Sequence, residues 1–81
     1  MIIREKYEEA QKLLELEASK NNFFYHRGMA FTEDRKQCII VEIAWGSGKV
    51  YYSLIDHNTC VACDTDLDLI FKRTRIHHGS S

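Results

Sequence analysis

The hydrophobic period of this chain changes early, and that change limits what it can fold into. Ile3, Tyr7, Ala10, Leu14 and Ala18 recur at steps of three and four, with Leu13 beside them. This spacing draws one apolar stripe along a helix, predicted over about residues 3–20. Asn21-Asn22 end it, because asparagine tolerates the left-handed conformation at a helix terminus. Beyond that point the apolar residues alternate, as they do in strands with one face toward a core. A single amphipathic helix followed by strands must bury its stripe on the sheet those strands form.

The segment from Phe23 to Phe31 reads as one aromatic-rich strand with Gly28 as a bulge, and Glu33-Asp34-Arg35-Lys36 as a charged turn. In the next run Ile39, Val41, Ile43 and Trp45 share one face, and Cys38, Ile40, Glu42 and Ala44 share the other. A strand apolar on both faces belongs in the middle of its sheet. Gly46-Ser47-Gly48 supplies a hairpin turn, Val50 to Ile55 a further strand, and Asp56-His57-Asn58-Thr59 a second turn before a short strand over 60–63.

Thr65-x-x-Asp68 has the form of a capping box, and Leu67, Ile70 and Phe71 follow at helical spacing. Asp64, Asp66 and Asp68 at the start and Lys72, Arg73 and Arg75 at the end suit a helix dipole, which favours a helix over a strand through Leu67, Leu69 and Phe71. The expected fold is one small α+β domain over residues 1–78, in the order α-β-β-β-(β)-α. Its antiparallel sheet of three or four strands is packed by two helices, with 79–81 as a frayed tail.

At 81 residues the chain is near the size at which one core just suffices. Its 44% apolar and 28% charged content is that of a globular protein. No apolar run exceeds four residues, too short to span a bilayer, and the N-terminus enters a charged helix without an apolar signal core. Three cysteines cannot all pair within the chain, which favours reduced thiols. These features together place the expected chain in the cytoplasm.

The one chemically loaded pattern is His57-x2-Cys60-x2-Cys63, with thirteen residues separating Cys63 from His77-His78. A closed zinc site needs four ligands, and a C-x2-C pair gives two of them from one short stretch. Neighbouring helical residues point about 100° apart, so His77 and His78 do not share an ion. A zinc set would therefore use Cys60, Cys63 and His57 with either Cys38 or His77. The plainer reading makes Cys60 and Cys63 small, partly buried apolar side chains and the C-terminal histidines solvated. A thioredoxin-like dithiol is disfavoured, because Asp64, Asp66 and Asp68 oppose a thiolate and the chain has no proline to sit beside it.

The element order resembles that of the double-stranded RNA-binding domain in layout alone. That resemblance implies a lysine cluster opening the second helix, where this chain has Asp64, Asp66 and Asp68. The net charge of −1 also weighs against nucleic acid, leaving Lys72, Arg73 and Arg75 as a minor basic patch. Gly46-Ser47-Gly48-Lys49 lacks the full phosphate-loop pattern, and nothing selects a triad among Ser47, Ser53, His26 and His57.

Protein binding remains. On the first strand Phe24 and His26 fall opposite Tyr25; on the third, Tyr51 and Ser53 fall opposite Val50, Tyr52 and Leu54. If the helices cover one sheet face, the other presents aromatic rings. The expectation is a non-catalytic binding module, inhibitory or regulatory, acting on another protein or on a second copy. Its anchors are Phe24, Tyr51 and Trp45, or else the acidic side of the first helix through Glu5, Glu9 and Glu15. By analogy alone, compact proteins of bacteria and their phages or mobile elements have this profile. The alternative is a zinc-stabilised module, and nucleic-acid binding is a minor third.

Overall fold

The computed structural model describes the backbone of residues 2–44 and 46–79, and the side chains of 4–44 and 46–74. The chain runs α1 (Ile2–Lys20), β1 (Phe24–His26), β2 (Met29–Phe31), β3 (Gln37–Ala44), β4 (Lys49–Asp56), β5 (Thr59–Asp64) and α2 (Leu67–Gly79). The five strands form one antiparallel sheet in chain order, β1-β2-β3-β4-β5, with β3 in the centre as its two-sided apolar pattern requires. It is the small α+β fold that the sequence predicts.

α1 stops in a left-handed cap. Asn22 has φ 62°, and the Phe23 N–H donates to the Ala18 carbonyl at 2.8 Å, closing the six-to-one bond of a Schellman motif. The segment read as one strand from Phe23 to Phe31 is instead a hairpin. Arg27 and Gly28 both have positive φ (51° and 82°), the signature of a two-residue type I′ turn, and His26 pairs with Met29 across it. Gly28 lies beneath the end of the Gln11 side chain of α1, which a Cβ there would have to displace. The β4–β5 connection repeats the device, with His57 and Asn58 at φ 52° and 63° between paired Asp56 and Thr59.

The cap of α2 also differs from expectation. Asp66, not Thr65, is the N-cap: its Oδ1 accepts the Asp68 N–H at 3.0 Å, and the Ile70 N–H bonds back to the Asp66 carbonyl. Asp64 Oδ1 in turn accepts the Asp66 N–H at 2.8 Å, so successive aspartates carry the chain from β5 into the helix. The helical backbone reaches Gly79, one residue into the segment expected as a tail; Ser80 and Ser81 lie outside the described residues.

Both helices pack on the same side of the sheet. Ala10, Leu14 and Ala18 of α1 and Leu67, Ile70 and Phe71 of α2 join Ala30, Ile39, Val41, Tyr52 and Leu54 in a single core. The register puts Tyr25, Ala30, Ile39, Leu54 and Ala62 in one row across all five strands, facing these helices. Phe23, set by the α1 cap, meets Phe71 of α2 edge-on at 5.0 Å between ring centroids, so the two helices share one apolar seam.

Leu13, read as part of the α1 stripe, is 45% exposed, whereas Leu14 is fully buried. The stripe is narrower than the residue pattern suggests: Leu13 lies about 100° round the helix from Leu14 and sits on its flank. Leu14→Ala is therefore expected to cost about 2–5 kcal/mol in urea unfolding. Leu13→Ala should stay within about 0.5 kcal/mol of the parent.

Candidate functional site

With both helices on one side, the opposite sheet face is left open, and strand register dictates what it presents. Phe24, Phe31, Cys38, Ile55 and Cys60 are paired successively from β1 to β5 and form one row. His26, Met29, Ile40, Ser53 and Cys63 form the next, and Glu42 faces Tyr51 beyond it. Met29, Phe31, Cys38, Ile40, Tyr51 and Ile55 are half-buried by one another, and Phe24 is 48% exposed. Cross-strand neighbours about 4.5–5.5 Å apart make these rows a continuous apolar surface.

The polar content at its centre is a small knot. The Ser53 hydroxyl, fully buried, donates to Glu42 Oε1, and Tyr51 is the cross-strand partner of Glu42. The Glu42 carboxylate thus has a buried hydroxyl donor among its apolar neighbours. At the other margin Phe24 stacks on His26 (5.9 Å between centroids, 14° between planes), and the Arg35 guanidinium lies 5.1 Å from the Phe24 ring centre.

The bulge in β5 changes the meaning of the cysteine pair. In a regular strand residues three apart point to opposite faces. Here Leu54 pairs with Ala62 and Ile55 with Cys60, so Val61 is an extra residue and the alternation resets. Cys60 and Cys63 therefore lie on the same open face, both exposed. The C-x2-C spacing drew attention to them, but nothing in the sequence marked the bulge that aligns them.

The remaining candidates are scattered. His57 is in the β4–β5 turn, its side chain 80% exposed and 3.4 Å from Asp56 Oδ1. The side chain of His77 lies outside the described residues, as does Trp45. Cys38 is on β3, separated from Cys60 by Ile55 of β4. Among the described residues no three or more His, Cys, Asp or Glu side chains are grouped to hold a metal ion.

Glu5, Glu9 and Glu15 are exposed on α1, on the far side of the molecule from the open face. The triad candidates do not assemble either: Ser53 on β4 and His26 on β1 are three strand spacings apart, roughly 14 Å. Ser47 lies in the β3–β4 loop, where its hydroxyl accepts the Lys49 N–H at 3.2 Å. No helix among the described residues is long and apolar enough to cross a membrane. Comparison of the chain with protein-family models, with curated proteins and with solved structures gives no match.

Tyr51 reports on the electrostatics of the face. Its phenol is pushed up first by partial burial, then by the Glu42 charge and by Cys63 and Cys60, with the hydrogen bond to Glu42 adding to the rise. A phenol raised in the folded state stabilises the fold fully below its unfolded value, about 10. That stabilisation is lost as the pH climbs through the higher folded value. Glu42→Gln removes the charge and should move one tyrosine midpoint downward in an ultraviolet phenolate titration. Tyr51→Phe should abolish that difference, and a profile identical in both backgrounds would contradict the assignment.

Proposed function

We propose that this chain is a non-catalytic protein-association module whose open sheet face packs against the same face of a second copy. The observation that carries the reading is the asymmetry of the sheet: one face is sealed by two helices, and the other holds two cross-strand rows dominated by Phe24, Phe31, Met29, Ile40 and Ile55. Contiguous apolar surface of this kind is characteristic of interfaces.

Three arguments favour a second copy as the occupant. The first is area. Five strands at about 4.8 Å spacing and eight-residue central strands at about 3.4 Å per residue give a planar footprint near 500 Å². Side-chain relief brings this toward the roughly 800 Å² per partner of a standard stable interface. The second is charge. A face whose central carboxylate is already engaged by Ser53 offers an oppositely charged partner little, and a net charge of −1 gives two copies little mutual repulsion.

The third is the state of the edges. β1 has only three residues, and β5 carries the bulge, two ways in which sheet edges are blunted against strand-to-strand pairing. Face-to-face packing, with sheets about 10 Å apart, is the route left open.

Phe24→Asp and Tyr51→Ala should each weaken self-association at least about tenfold, the loss expected for an interface anchor worth more than ~1.4 kcal/mol. Sedimentation equilibrium across a concentration series measures this, with far-UV circular dichroism confirming an intact fold. A parent chain that stays monomeric up to its solubility limit overturns the reading. So does a Tyr51→Ala variant that loses fold and association together, since Tyr51 would then be core.

A further inference from the structure

We propose that Cys60 and Cys63 form a two-thiolate clip on the margin of the open face, built to take a thiophilic cation satisfied by two ligands, of the Cu(I) type. The bulge supplies the geometry. Cys60 stands opposite Ile55 and Cys63 opposite Ser53, so the three-residue step in β5 covers the same length as a two-residue step in β4. That length is about 6.8 Å, with both side chains leaving the sheet on the same side.

This spacing separates two chemistries. A disulfide needs Cβ atoms about 3.5–4.5 Å apart, so parallel side chains at the bulge spacing would have to move the backbone to bond directly. A bridging cation asks for less: two metal–sulfur bonds of about 2.3 Å place the sulfurs up to about 4.6 Å apart, which thiols leaning toward each other reach without moving the strand. Both thiols are exposed, so a cation has access.

The ligand count selects the cation. Zinc requires four ligands, and no third His, Cys, Asp or Glu joins this pair among the described residues. Soft thiolates favour Cu(I), which accepts linear two-sulfur coordination. Binding forms two sulfur–copper bonds, breaks two S–H bonds and releases both protons to solvent, with no change in oxidation state.

The test is an anaerobic titration of the reduced full-length chain with Cu(I), supplied as its acetonitrile complex against a chromophoric Cu(I) chelator. One Cu(I) per chain is expected. Cys60→Ser and Cys63→Ser should each lose at least the ~100-fold in affinity that removal of even an outer-shell partner can cost. Cys38→Ser should bind as the parent does, and circular dichroism should show all three variants folded. The same uptake in Phe24→Asp would show that the clip works without self-association, and loss of uptake there overturns it as a property of the single chain. Failure to compete for Cu(I), or an equal loss in Cys38→Ser, overturns the assignment. So does a Cys60–Cys63 disulfide formed quantitatively in the folded chain by oxidised glutathione.

Discussion

Leu54 of β4 is fully withdrawn from solvent in the core that both helices share, and the rest of the architecture follows from that shared burial. α1 and α2 each contact β4, so neither can move to the other side of the sheet without uncovering it. Ala10 and Ala18 let α1 lie close over Ala30 and Ile39, while the Schellman cap turns Phe23 toward Phe71 of α2. Two helices of this length cover one face of five strands; they cannot cover two. The open face is thus a direct result of how little helix the chain has, and its side chains are set by register alone.

What the residue pattern disclosed and what it hid divide along a physical line. Period-two alternation placed Ile39 and Val41 opposite Cys38, Ile40 and Glu42, and Tyr51 opposite Tyr52, because that depends only on neighbours along the chain. The central position of β3 followed from its two apolar faces. The hairpin at Arg27-Gly28 was hidden because its first turn residue is an arginine in the left-handed region, which no turn preference would nominate. Leu13 was misplaced because it lies about 100° round the helix from Leu14, off the stripe that the buried residues mark.

The cysteine pair shows the same limit from the other side. Spacing made it conspicuous, yet its facing depends on one unpaired residue, Val61, whose presence can be read only from the pairing of β4 with β5. The cap of α2 differs in degree rather than kind. A stretch with Asp64, Thr65, Asp66 and Asp68 offers several capping oxygens, and the chain uses Asp66, one residue after the position the box pattern indicates. Acidic side chains there suit the positive end of the helix, whichever of them caps it.

The strand order has a consequence for how the molecule reaches this state. Every strand pairs with its neighbour in the chain, and two of the four connections are two-residue turns. Sheet assembly therefore closes only short loops, and each hairpin, once formed, is a template for the next strand. The most distant contacts are those of α1, whose stripe packs on Ala30, Ile39 and Leu54. Among sheet proteins such a layout lies at the local end of the topological scale, where folding is fast and exposed strands are short-lived.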